Sequence, residues 1–320
     1  MGKRRIRCLV ANGVPQSAIR LVEPRKDRCQ EVSEKYGVEG LADLETGLAW
    51  GPDAFVISVP GAFHMPLLLT AARAGKHAFC EVPLSTSQDG LEELIGLARE
   101  RKLVIAPGVQ SPLHPVWRKV KEWLSEASFG KPLIYHQLLG SYLPDWHPYE
   151  DYRRYYASDQ TMGGCNVDLI AQELAAFYWL LPGRVQELFC RGRLLSSLEI
   201  HGYDFQQILA WTDTGMALTL QFDVFQRSPI NIVRIISEQG TVEYTPQYAK
   251  RFLAGFDDWE VFQPPSDYQY EQCYVDEIKL FIEAINGRQS WHNPLSTATE
   301  VVRFLTALSD SQSTNAIVKV

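Results

Sequence analysis

The chain has 320 residues, 46% hydrophobic and 22% charged, which excludes a disordered or fibrous protein and leaves room for two ordinary domains. A formal charge of -7 excludes nucleic acid or an anionic membrane as the main partner, since both require a basic field, and points to small molecules. The six cysteines are far apart with no C-x-x-C pair, and no run approaches the roughly 18 apolar residues of a membrane span, so reduced core thiols, no metal site and a cytoplasmic location are expected.

Ile6, Leu9 and Val10 fall at helical spacing and Gly13 is placed as a stop, so the chain opens with a helix. Lys3, Arg4, Arg5 and Arg7 on that helix read as a solvated face. Residues 19–23 form a short strand ending in Glu23, about 20 residues after Gly2, the distance at which a dinucleotide-binding unit places the acid for its ribose hydroxyls. The strand and two glycines that precede the last glycine of such a unit are not in the sequence. Either the gene product begins upstream or the first strand has been lost.

Residues 53–85 read as one βαβ unit: a buried strand, a proline-marked turn, a helix and a second buried strand. Its polar groups sit where the strands end, with Pro60 and His64 after the first and Glu81 and Pro83 after the second, where ligands of open parallel sheets bind. A helix over 91–101, a strand over 103–107 with Gln110 just beyond, and a helix over 115–125 complete this half. From Lys131 the texture changes to runs at 133–138, 207–212, 217–223 and 231–236, with turn signals at 213–215 and 238–240, which predict a mostly antiparallel sheet. Helices over 168–181, 275–285 and 297–309 flank it. The fold class expected is α/β: a Rossmann-like parallel sheet lacking its first strand, then an α+β domain with a mostly antiparallel open sheet. Residues 1–112 are assigned to dinucleotide binding and 113–320 to substrate binding and oligomerisation.

These pieces in order resemble the Gfo/Idh/MocA family of NAD(P)-dependent sugar oxidoreductases over nearly the whole chain. The match rests on Gly2, on Pro60 with His64 four residues on, on Cys80-Glu81-Val82-Pro83 against a Glu-Lys-Pro signature, and on a Gly163-Gly164 start to a helix carrying Asp168 and Gln172. Two departures stand out. Val82 replaces the signature lysine, and Gln172 replaces the catalytic histidine, so both usual proton-handling groups are gone; valine cannot titrate and glutamine can only hydrogen-bond.

The resemblance implies NAD as cofactor, favoured by Glu23, although Arg25 and Lys26 would admit NADP. Gly2, Glu23, Arg25, Pro60, His64, Glu81, Pro83 and Gln110 are the cofactor-binding candidates. Asp168 and Gln172, four apart on one helix face, are the catalytic candidates, with a helix N-terminal acid as the structural alternative for Asp168. The polar, aromatic segment 140–156 offers Tyr142, Asp145, Trp146, Tyr152 and Arg153, because aromatic faces stack on sugar rings and charged groups bond hydroxyls directionally. It resembles a stretch in family branches encoded with surface-polysaccharide genes, which implies a sugar, sugar-nucleotide or cyclitol substrate. The competing function is a non-redox, sugar-binding or regulatory relative that has lost cofactor binding. Self-association as a homo-oligomer is expected from relatives.

Overall fold

The computed structural model describes residues 1–320. The first unit contains α1 (Gly2–Ala11), β1 (Arg20–Val22), α2 (Lys26–Tyr36), β2 (Glu39–Leu41), α3 (Leu44–Ala49), β3 (Ala54–Ile57), α4 (His64–Arg73), β4 (His77–Cys80), α5 (Leu91–Glu100) and β5 (Ile105–Pro107); α6 (Pro115–Ser125) follows and packs on the second unit's sheet. Its strands are parallel as expected, but they form two ribbons, β1-β2 and β3-β4-β5, with no hydrogen bonds joining them. Helix α1 ties the ribbons together through side chains on different faces. Ile6 packs with Ile19, Val32 and Val38 on one side, and Cys8 packs with Phe79 and Ala106 on the other.

One expectation about α1 fails. Arg5 is only 1% exposed, not solvated, because it lies between Glu81 and Glu277 and beneath the Phe79 and Tyr274 rings.

The second unit runs through β6 (Pro132–Tyr142), α7 (Leu143–Trp146), α8 (Gly164–Leu180), β7 (Val185–Arg193), β8 (Phe205–Thr212), β9 (Ala217–Asp223), β10 (Phe225–Ser237), β11 (Gly240–Tyr244), β12 (Ala249–Leu253), β13 (Glu260–Phe262), α9 (Glu271–Ile285), α10 (Leu295–Thr314) and β14 (Val318–Lys319). Nine strands form one sheet in the order β13-β12-β11-β10-β6-β9-β8-β7-β14, antiparallel except where β6 pairs with β9. Strand β8 alternates buried and exposed positions along its length, the signature of a sheet with one covered face. On that face α6, α8 and α10 seal the main core, where Trp117 stacks on Tyr244 with ring centroids 4.1 Å apart. On the other face Leu209, Trp211 and Ile232 remain exposed.

Helix α9 follows the second sheet in sequence but packs against the first unit, placing Tyr274, Ile278 and Phe281 on Phe79. Helix α8 is fixed to its sheet by a buried polar network in which Gln137 donates to Glu173 at 2.5 Å and Asn231 donates to it at 3.1 Å. Burial pushes the Glu173 carboxyl up to about 7 in spite of these two donors. All six cysteines are free, as expected, and no helix is long and apolar enough to cross a membrane.

Candidate active site

A cleft of about 1470 Å³ lies between the strand ends of the first unit and the first three turns of α8. The N-terminus of α1, the turn after β3, the residues after β4 and the segment 146–162 line it. The sequence places these groups for simple reasons. Apolar runs bury β3 and β4, so the chain emerges with its first polar residues at their carboxyl ends. Gly163, at φ 119°, takes a backbone that side chains rarely adopt, and it turns the chain into α8.

Gly2, Glu23, Arg25, Pro60, Glu81, Gln110, Trp146, Arg153, Asp168 and Gln172 all line the one cleft. A Cβ at Gly2 would meet only Ser58 Cβ at 4.0 Å, so no protein contact requires glycine there. Glu23 accepts the Arg25 backbone N–H at 3.0 Å, while the Arg25 guanidinium is occupied by Asp27 at 2.6 Å. Gln110 donates towards the Tyr270 and Tyr274 hydroxyls at 3.4 and 3.3 Å.

Five expected residues lie elsewhere, and each has a local cause. The His64 ring is 1% exposed and bridges the carbonyls of Pro83, at 2.6 Å, and Val59, at 2.8 Å, so it braces the turn from beneath. Pro83 is buried under the same turn, where a Cβ at Gly61 would touch its ring at 3.5 Å. Tyr142 ends β6 and stacks under the Arg227 guanidinium at 3.7 Å. Asp145 is exposed on α7 and outside the cleft lining. The Tyr152 hydroxyl accepts the Glu199 backbone N–H at 3.1 Å and pins the loop outside the cleft.

In their place His147, Tyr155, Tyr156 and Tyr274 line the cleft, with Arg5 buried behind it against Glu81. The Tyr155-Tyr156 pair at the end of the aromatic segment was the available sequence signal.

The electrostatics separate the two carboxylates of the cleft. Burial pushes Asp168 up to about 7, with the Glu81 charge adding to the rise and the Tyr156 hydroxyl, donating at 2.5 Å, opposing it. Burial would also raise Glu81, but the Arg5 charge and its paired bonds at 2.7 and 3.0 Å outweigh it and hold Glu81 below its usual range. The cleft therefore holds one fixed carboxylate and one carboxyl poised near neutrality.

A helix N-terminus and an acid at the strand ends, with a titratable helix carboxyl across the cleft, form the kind of site in which open parallel sheets hold a dinucleotide. Residues 1–109 match the Gfo/Idh/MocA family model, described as oxidoreductase family, NAD-binding Rossmann fold. The chain is 27% identical to a myo-inositol 2-dehydrogenase of Thermotoga maritima over 178 residues, which is 55% of this chain and about half of that relative, 51%. It is 24% identical to an inositol 2-dehydrogenase/D-chiro-inositol 3-dehydrogenase of Shouchella clausii, across 92% of this chain and 85% of the relative. Among solved structures, a levoglucosan dehydrogenase complexed with NADH and levoglucosan superposes with TM-score 0.87 at 15% identity, covering 100% of this chain and 96% of the other. The WlbA dehydrogenase of Bordetella pertussis, complexed with NADH and UDP-GlcNAcA, gives TM-score 0.83 at 16% identity, covering 100% and 95%.

Proposed function

We propose that the protein is an NAD-dependent oxidoreductase acting on a CH–OH group of a sugar, sugar nucleotide or cyclitol. The observation that carries this reading is that Glu81 and Asp168 face one cleft with opposite electrostatic settings. The cleft fits a dinucleotide: α1 leaves the Gly2 and Lys3 N–H groups without intrahelical acceptors, which suits a pyrophosphate, and Glu23 stands at the strand end where ribose hydroxyls are held. When bound, the nicotinamide supplies hydride chemistry. Glu81 and Gln110 position the end of the cleft nearest α8. Gln172 hydrogen-bonds the substrate, and Asp168 takes or returns the proton of its reacting hydroxyl. The named relatives are dehydrogenases, which favours this reading over a non-redox one.

A screen of sugars, cyclitols and sugar nucleotides with NAD, followed by absorbance of the reduced nicotinamide, tests the activity. The occupation of Arg25 by Asp27 favours NAD over NADP. NAD is expected to raise the melting temperature more than NADP does, and Glu23→Ala to remove that difference. Equal shifts from both dinucleotides in the parent would overturn the role of Glu23.

The exposed Leu209, Trp211 and Ile232 suit a second copy of the chain packed on the open sheet face. Light scattering is expected to give a dimer or larger for the parent and monomer for Trp211→Arg. A monomeric parent rejects self-association. Reduced thiols and the absence of an apolar span suit the cytoplasm, testable by fractionation of the producing cell.

A further inference from the structure

We infer that Tyr156, Tyr155 and His147 form a relay that carries the proton released by the substrate hydroxyl from Asp168 to solvent at Tyr149. The inference rests on the oxidoreductase reading above and answers the question that reading leaves: where the proton goes in a site with valine and glutamine at the two usual proton-handling positions.

The geometry is two hydrogen-bonded segments, Asp168–Tyr156 and Tyr155–His147–Tyr149, that meet where the two tyrosine rings touch. Tyr156 Oη donates to Asp168 Oδ2 at 2.5 Å. The Tyr155 and Tyr156 rings meet edge to face with centroids 4.5 Å apart, and the two segments join when the Tyr156 hydroxyl turns from Asp168 towards Tyr155. Tyr155 Oη lies 2.8 Å from His147 Nε2, and His147 Nδ1 lies 2.8 Å from Tyr149 Oη. Tyr149 is 77% exposed, so the string ends in water.

The groups are set for passage rather than storage. Burial lowers the pKa of His147, outweighing the Glu150 charge that faces it, while Arg28 and the chain's amino terminus lower it further. The ring is therefore neutral near pH 7, with a lone pair on Nε2 free to accept. Burial raises both tyrosines, and the Asp168 charge raises them further, Tyr155 to about 12, so neither rests as a phenolate. Asp168 itself is faced by Tyr156 and by Glu81, and no cation is among the groups that shift it.

The step balances as a pure proton transfer. The substrate O–H bond breaks and an O–H bond forms on Asp168, while the hydride carries its two electrons to the nicotinamide. The Asp168 carboxyl turns about Cβ–Cγ and the Tyr156 hydroxyl turns towards Tyr155. The Asp168 proton then passes to Tyr156 Oη, the Tyr156 proton to Tyr155 Oη, and the Tyr155 proton to His147 Nε2. His147 releases its Nδ1 proton beside Tyr149. Each relay residue ends with the number of protons it began with, and one proton reaches solvent per turnover. Here Asp168 is the catalytic residue; the tyrosines and His147 act through it.

Two measurements test this on Tyr155→Phe and His147→Gln, which leave the Asp168–Tyr156 bond in place. In the unliganded protein, NMR exchange of the Tyr156 hydroxyl proton with water is expected to slow about tenfold in either variant. During sugar oxidation kcat is expected to fall by about the same factor with KM unchanged, the solvent deuterium isotope effect is expected to grow, and added imidazole is expected to restore His147→Ala. Unchanged exchange, or turnover with unchanged kcat and isotope effect, overturns the relay. Slowed exchange in a protein that turns over no sugar sinks the oxidoreductase reading instead and leaves the proton path standing. Tyr155→Phe keeps the aromatic ring, so a failure of both variants to fold is not expected.

Discussion

Asp168→Asn is expected to lower kcat for sugar oxidation roughly 100- to 10,000-fold, the share that a positioned general base supplies, while substrate binding changes little. Asparagine keeps the shape and still accepts the Tyr156 hydroxyl, so only the proton-taking function is lost. With the Asp168 carboxyl pushed up to about 7, kcat/KM for oxidation should rise with pH through that value in the parent, because the base must be ionised, and the reverse reduction should fall. The variant should lack that limb. Stability moves the other way and separates the two effects. Between its ordinary value of 3.8 and about 7 the native carboxyl holds a proton that the unfolded chain has released, so Asp168 makes the fold less stable as pH rises through that window. The asparagine variant escapes this loss and should melt no lower than the parent at pH 8. Full turnover by the variant would remove Asp168 from the mechanism.

The sequence carried the strand ends well, because Ala54–Ile57 and His77–Cys80 are short apolar runs whose first polar followers must surface at the sheet edge. Glu81 and Asp168 were legible for that reason: one follows a buried strand, and the other sits a turn into a helix that begins at paired glycines. Which aromatic of segment 140–156 faces the cleft was not legible. Strand β6 extends to Tyr142 by pairing with Phe225, and this register, set far away in sequence, carries Tyr142 off to Arg227 and leaves Tyr155 and Tyr156 to enter the cleft. His64 misled for a related reason, since its partners are backbone carbonyls that no residue pattern marks. The tie that α1 makes between the ribbons does not show in its basic composition.

Arg5→Met is expected to be the most destabilising single change in the first unit. A run of basic residues conceals it in the sequence, yet its guanidinium meets Glu81 through two bonds, reaches Glu277 at 2.8 Å and lies over the Phe79 ring at 4.3 Å. One cation serves two carboxyls. Burial wins at Glu277 and pushes it up to about 7, with Glu81's charge adding to the rise, so Glu277 takes a proton first and Glu81 stays ionised. Removing the cation leaves an uncompensated carboxylate in the interior, which costs about 3–5 kcal/mol. Denaturant midpoints should record that loss, and Glu277→Met in the same chain should recover part of it, since an apolar pair needs no counterion. The pH dependence reverses as well. In the parent, the depressed Glu81 contributes stability above its ordinary value of 4.5 that is lost as pH falls through its lower folded value. Without Arg5, burial acts on Glu81 unopposed, its folded value rises above the unfolded one, and the variant should gain relative to the parent as the solution is acidified. A loss below about 1 kcal/mol, or a deficit that grows in acid, would show that Arg5 is not what holds Glu81 ionised beneath the cleft.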